Sequence, residues 1–479
     1  MNTPYFPAWR TRLAALGRRA GQHGSAAEVE NEFARFLTSD LLVPTPRGPG
    51  SRKRTYTLRR TFWYFLWQVL QPWTACRAVV RKVQAEMETP QRLIDENSSA
   101  FCQARARLPL ALLHNGLQQT AVSADRLARD GVPGWKRPIK VVDVTSFTTP
   151  DTLANRKEYH YPSGQKKGCG FPVMRALAIF SLVSGAVQQI VSAACYTAEL
   201  VMLKPLWSTF QRGDILLGDR AYGGFALLAA FSIRGVDVVA RLHQRRQLDL
   251  RRAEKLGSHD WLTVFQKPYE PPPYMSKTEW SALPDAIPVR IIHSRLAVKG
   301  FRTKTIWILT TLLDPELYPA AAIAGLYLFR WQIELSFRDL KTTMGMETLR
   351  CLSPHMIERE LRMFLIAYNC LRALMAEAAG KYRFPRQRIS FKGTMDAIRS
   401  FHPVMLRAHS RRGLARLHAR MLEILVADCL PQRPGRVEPR AVKKRPKPYP
   451  LLTKPRHSFK AIPHKGNPRP CKRPQVILS

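Results

Sequence analysis

The stretch Ile139-Lys-Val-Val-Asp-Val-Thr-Ser-Phe147 decides the class of fold. Four of its first six residues are β-branched and apolar, the composition of a strand that fits a covered, pleated surface. Asp143 is the exception: the flanking valines would bury it, and a buried carboxylate is costly unless something pairs with it. Residues 175–183 (RALAIFSLV), 187–195 (VQQIVSAAC), 215–218 (ILLG) and 236–240 (VDVVA) repeat the pattern of short apolar runs bounded by Gly, Pro or polar residues. Helix-length segments occupy 197–212 and 224–234, which gives the order β-β-β-α-β-α-β. The expected fold is α/β, a mixed five-stranded sheet covered by helices. Asp219 directly follows the fourth strand, in DILLGDRAYGG. A fourth strand lying beside the first would set its carboxylate next to Asp143 at the strand ends, where open α/β sheets carry their sites.

Upstream of the sheet the pattern is helical. Residues 28–42 repeat apolar positions at helical spacing, a basic loop covers 47–60, and helices are expected within 61–88 and 91–122, broken near Pro72, Pro90 and Pro109. An all-helical N-terminal domain over 28–130 follows, preceded by a segment 1–27. Within it, residues 94–108 predict a serine-capped helix displaying Gln103, Arg105 and Arg107, a shape suited to a major groove. Residues 131–242 form the first part of the α/β core. Charged, proline-rich sequence then interrupts it, so 243–313 is expected to be a β-rich insertion with strands at 289–297 and 305–312. The core resumes over 314–380 with helices at about 317–346 and 354–379, and a C-terminal helical region spans 381–430. Residues 431–479 hold 14 Lys/Arg against one acid, with 11 prolines, a mixture that cannot bury a core and stays extended.

The whole chain carries 76 Lys+Arg against 35 Asp+Glu, a formal net charge of +41 over 479 residues. Such a surplus requires an anionic partner, with affinity that falls as salt rises. No apolar run approaches the roughly 18 residues of a membrane span, and the first residues show no secretory leader, so no membrane partner and a cytoplasmic location are expected. Eight cysteines without a CxxC pair or zinc spacing point to reduced thiols.

A third acid comes from Tyr327-Leu-Phe-Arg-Trp-Gln-Ile-Glu-Leu-Ser-Phe-Arg-Asp-Leu-Lys341. At about 100° per residue, Tyr327, Arg330, Glu334 and Lys341 fall on one narrow helical stripe. The Arg330–Glu334 spacing also suits an ordinary surface ion pair worth a few tenths of a kcal/mol.

This Y-x-x-R-x-x-x-E-x-x-x-x-x-x-K spacing resembles the signature of the DDE insertion-sequence transposases of the IS-four family. DVTSF at 143–147, GDRAY at 218–222 and the tail RPGRVEPRAVKKRPKPYPLL at 433–452 resemble its other pieces, and the likeness runs from about residue 28 to 460. The resemblance implies an RNase H-like core and a cut-and-paste enzyme. It would bind terminal inverted repeats as a homodimer, hydrolyse phosphodiesters through a hairpin intermediate, and transfer the freed strand to target DNA. Asp143, Asp219 and Glu334 would be the catalytic acids; three hard oxygen donors suit two Mg²⁺ or Mn²⁺ ions. Tyr327, Arg330 and Lys341 would touch DNA phosphates, and Trp307 would be the aromatic that stacks on a flipped base. The alternative is an inactive or host-adapted RNase H-like DNA-binding protein or nuclease, and the presence of all three acids disfavours inactivity.

Overall fold

The computed structural model describes residues 27–43, 55–71, 74–87, 93–128, 131–163, 170–243, 250–295, 305–408, 410–431, 454–455 and 458–459. Residues 1–26, positions 47–54 of the basic loop, Arg245, Arg246 and the tail's charge maximum at 443–447 lie outside them. Among the described residues nine strands form one sheet. They are β1 (Ile139–Thr148), β2 (Val173–Ser181), β3 (Val187–Ala194), β4 (Ile215–Gly218), β5 (Asp237–Arg241), β6 (Glu254–Gly257), β7 (Asp260–Gln266), β8 (Ala286–Arg295) and β9 (Thr305–Thr310). Their order across the sheet is β3-β2-β1-β4-β5-β9-β8-β7-β6.

The five strands expected from the sequence form one half of this sheet. β1 pairs antiparallel with β2 and parallel with β4; β2 and β3 are antiparallel, β4 and β5 parallel. The sheet is larger than the expected five strands, because β5 continues into β9 through Val239↔Thr310, Ala240↔Leu309 and Arg241↔Ile308. Strands from 243–313 therefore extend the same sheet instead of building a separate one, which leaves no unpaired edge on β5. Fully buried Arg290 braces this half. Its Nε and Nη2 donate to the two oxygens of Asp260 at 2.9 and 2.6 Å, and its Nη1 donates to the Tyr318 carbonyl at 2.7 Å.

Among the described residues five helices precede the sheet: α1 (Ala27–Phe33), α2 (Leu58–Leu70), α3 (Cys76–Met87), α4 (Ser99–Arg107) and α5 (Leu110–Leu127). Between strands come α6 (Leu153–Tyr159), α7 (Glu199–Leu203), α8 (Phe225–Ile233) and α9 (Lys277–Ser281). After β9 follow α10 (Ala320–Phe329), α11 (Gln332–Arg338), α12 (Pro354–Tyr382), α13 (Phe391–Leu406) and α14 (Arg411–Ala427). One continuous apolar core runs from Phe62 and Trp63 of α2 and Leu117 of α5, through Ile366 and Leu371 of α12, to Val141 and Ala178 on the sheet. The N-terminal helices thus bury their stripe against α12. Val142, Leu177 and Leu216 point to the other face, covered by Trp207, Leu228 and Phe231, as the two-residue period of a strand dictates.

Two helical expectations are corrected. The helix foreseen at 94–108 starts at Ser99, Ser98 makes no side-chain capping bond, and Arg105, foreseen on display, is 8% exposed. Its guanidinium packs 4.5 Å from the Phe65 ring, an environment set by α2 and invisible in the local pattern. The helix foreseen at 317–346 is three pieces, α10, α11 and a π-helical turn at Asp339–Thr343. No helix among the described residues is long and apolar enough to cross a membrane.

Candidate active site

The parallel ladder of β1 and β4 runs Ile139↔Ile215, Lys140↔Leu216, Val141↔Leu217. Extending that register by two residues sets Asp143 beside Asp219, on the same side as Val141 and Leu217, on strands about 4.8 Å apart. Tyr222 folds against Gly218, the last residue of β4, so closely that a Cβ there would meet Tyr222 Cδ2 at 2.6 Å. Asp219 Oδ1 accepts the Ala221 amide at 2.7 Å and so opens the tight turn Arg220–Tyr222. Asp143 Oδ1 accepts the Val144 amide at 2.8 Å. Burial pushes the Asp143 carboxyl up to about 6; the Val144 bond and Arg330 oppose the rise, and the negative charges of Asp219 and Glu199 add to it.

The third acid arrives through a change of helical winding. Between α10 and α11, Arg330, Trp331, Ile333 and Glu334 donate to the carbonyls three residues back, at 3.1, 3.3, 3.1 and 3.2 Å, an overwound joint of the 3₁₀ kind. Arg330 sits in that joint, its Nη1 3.8 Å from Asp143 Oδ2 and its Nη2 3.7 Å from Glu334 Oε1. One guanidinium therefore spans the two acids. The Arg330 side chain is 11% exposed and that of Glu334 53%, so the arginine is the buried member of the pair. Tyr327 stacks against the same guanidinium, 5.8 Å from ring centroid to carbon. Below Glu334 the winding loosens: the Met344 amide reaches back to Asp339 O at 2.9 Å, and Arg372 of α12 pairs with Asp339 at 3.0 Å. The even 100° stripe is therefore not how these residues meet. Lys341 comes to rest over the Phe147 ring at 5.3 Å, four residues beyond Asp143 on β1, and burial lowers its pKa.

Trp307 stands on β9, with β5 and β4 between it and β1. It is half-buried and stacks on His293 (4.3 Å, 15°) and Trp261 (5.8 Å, 24°). Two groups at the acids were not legible in the sequence. Glu199, in the first turn of α7, pairs with Arg175 of β2 at 2.9 Å; burial raises its pKa and Asp219 raises it further. Tyr222 is fully buried, its hydroxyl has no hydrogen-bond partner, and burial first, then Glu199, Asp143 and Asp219, hold it well above a normal phenol. An acid opening a helix reads as a cap, and a tyrosine after a turn reads as core, so neither carries a local signal.

Among the described residues no three His, Cys, Asp or Glu side chains stand ready-gathered around a metal position. The donor chemistry nonetheless fits a hard divalent cation: Asp143 and Asp219 present carboxylate oxygens whose negative charges act on one another, adding to the burial that raises Asp143.

β1 runs on to Thr148, so Asp143 lies inside the strand and not at its end as expected, while Asp219 directly follows β4; comparison with known proteins shows which class this mixed sheet belongs to. Residues 134–370 match the transposase DDE domain. The chain is 25% identical over 412 residues to the transposase InsG of insertion sequence element IS4 from Escherichia coli K12, covering 84% of this chain and 89% of that protein. It is 28% identical over 174 residues to the putative transposase InsZ of the same strain, 36% of this chain and 57% of that one. Residues 134–370 thus carry a transposase DDE domain, and the chain resembles the IS4 transposase over most of its length. A piggyBac transposase in a synaptic complex with hairpin DNA aligns over 86% of this chain and 85% of its own, at 9% identity and a TM-score of 0.37. DNA transposition is thus the activity class, and dependence on divalent metal in general accompanies the domain.

Proposed function

We propose that the chain is a cut-and-paste transposase with an RNase H-like core, and that Asp143, Asp219 and Glu334 are its catalytic acids, holding two Mg²⁺ or Mn²⁺ ions. The single observation that supports this most is Arg330 lying between Asp143 and Glu334, with the β1–β4 ladder ending two residues before Asp143 and Asp219. Bound divalent ions supply activation of the attacking oxygen and neutralisation of charge on the phosphorus. Arg330 lies between Asp143 and Glu334 as their counter-cation. Asp143, Asp219 and Glu334 would hold the ions, and Arg330 would supply a cation to a phosphate oxygen of the strand. Tyr327 and Lys341 hold the flanking phosphates without reading bases. Trp307 supplies a stacking face for a flipped base in a hairpin step. The helices before residue 130 and the basic tail bind terminal inverted repeats, and two chains join the ends in a synapse before strand transfer to target DNA.

The test is cleavage of a terminal-repeat duplex with Mg²⁺ by Asp143→Asn, Asp219→Asn and Glu334→Gln. Each should abolish cleavage and leave duplex binding unchanged. Full cleavage by any one removes that residue from the site.

A further inference from the structure

A cavity of about 370 Å³ opens between α11, the π-helical turn, the ends of β1 and β2, α12 and the start of α13. None of Asp143, Asp219 and Glu334 lines it. Val141, Phe180, Ile389 and Phe391 form much of its wall, and Leu335, next to Glu334 and 50% exposed, lines it too. An apolar recess of this size with a few converging polar groups suits a small organic ligand.

The charged lining is lopsided. Arg338, Arg372, Arg386 and Lys392 meet a single acid, Asp339. That acid is taken by Arg372 at 3.0 Å, and Lys392 pairs with Asp396 at 2.5 Å. Arg386 forms no ion pair among the described residues; its Nη1 donates to the Ser184 carbonyl at 2.7 Å and its Nη2 to the Leu182 carbonyl at 3.3 Å. Asp125, the acid that acts on it, is engaged by Ser184 at 2.5 Å and Gln188 at 3.0 Å. Arg386 and Arg372 converge at Gly185, where a Cβ would meet Arg386 Nη1 at 3.2 Å and Arg372 Nε at 3.6 Å. Burial first, then the Arg372 charge, push Arg386 down to about 10. Two guanidiniums held together beside one carboxylate leave a poorly solvated positive charge, and their planar forks match a carboxylate or a phosphate. The tail does not supply that anion, since residues 431–479 hold 14 Lys/Arg against one acid.

We propose that this cavity binds a small amphipathic anion, an aromatic carboxylate or phosphate ester whose head sits on Arg386 and Arg372 and whose rings cover Phe180, Leu335 and Ile389. Ile333, Leu335 and Ser336 of the lining flank Glu334 on α11, so an occupied cavity stiffens the helix that carries the third acid. That consequence rests on the role proposed for Glu334; the binding itself does not.

The experiment is calorimetric titration of the full-length chain with naphthoate and with naphthyl phosphate, set against uncharged naphthamide and inorganic phosphate, followed by hydrogen exchange of the complex. One of the two aromatic anions should bind saturably, one to one, and slow exchange in residues 333–343 and 386–392. The tighter of the two identifies the head group. Naphthamide and inorganic phosphate should each bind about tenfold more weakly or worse, because one lacks the charge and the other the apolar body. Arg386→Gln should weaken the aromatic anion by about tenfold. Because Arg386 also holds two backbone carbonyls, Leu335→Glu at a half-exposed position is the second variant, and it should weaken binding with the melting temperature unchanged. The proposal is overturned if neither aromatic anion binds saturably, if naphthamide or inorganic phosphate binds as well, or if exchange slows only elsewhere. Unchanged affinity in both variants overturns it as well.

Discussion

Asp143 shows how a single side chain trades stability for function. Its carboxyl is held up to about 6 from an ordinary 3.8, first by burial. A group with a raised folded pKa costs nothing while it is neutral in both states, below about pH 4. Native stability then falls as pH rises from about 4 to 6, and the full cost is present above that. Asparagine keeps the shape without the charge, so Asp143→Asn should stabilise the metal-free protein at pH 8 by about 1–3 kcal/mol. At pH 4 it should bring no gain. Urea unfolding at both pH values checks this, and equal stability of the two proteins at pH 8 would refute the dominance of burial. The acid itself was legible in the sequence as an anomaly among valines. Its neighbour Glu199 was not, because nothing local to CYTAELVML tells where the first turn of α7 will dock.

At the scale of elements, the sheet depends on one buried pair. Arg290 and Asp260 join β8 to β7, and the same guanidinium holds the Tyr318 carbonyl just before α10. Removing the acid leaves a fully buried cation uncompensated, so Asp260→Ala should cost about 3–5 kcal/mol. Denaturant unfolding measures it, and a loss below about 1 kcal/mol would mean that the pair behaves as a surface bridge. Trp307 belongs to the same half. Its stack on His293 and Trp261 already serves packing, and its proposed second role is distinguishable: Trp307→Ala should impair hairpin formation more than the first nick. Equal loss of both, read on a labelled duplex, would leave it a packing residue. β6 and β7 went unforeseen because EKLG and DWLTVFQ lie in charged sequence and take their sheet position from β8.

Across the whole molecule, the last described helix, α14, is tied to the first described one, α1, by a titratable clasp. His418 of α14 lies 3.4 Å from Glu32 of α1 and 3.0 Å from Glu377 of α12. Burial alone would lower its pKa, but the bonds and charges of Glu32 and Glu377 outweigh burial and raise it to about 9. The clasp contributes fully below the unfolded value of about 6.5 and is lost as pH rises through 9. Hydrogen exchange of residues 411–427 should therefore accelerate between pH 8 and 10 beyond its intrinsic pH dependence, and His418→Gln should remove that excess. An unchanged excess in the variant would assign the loosening to another group.

Local pattern was enough to determine the strands of the first half-sheet, the acid within β1 and the acid just past β4, and a charge of +41 that demands an anionic partner. Those features depend on the period of neighbouring side chains and on a strand order with few chain-compatible solutions. Only the tertiary structure decided that nine strands make one sheet, that Arg105 turns inward against the Phe65 ring, and that Arg330 lies between Asp143 and Glu334. Each of these depends on which distant surfaces come to face one another, and on two changes of winding, at Arg330 and at Asp339, that a uniform helical period cannot register.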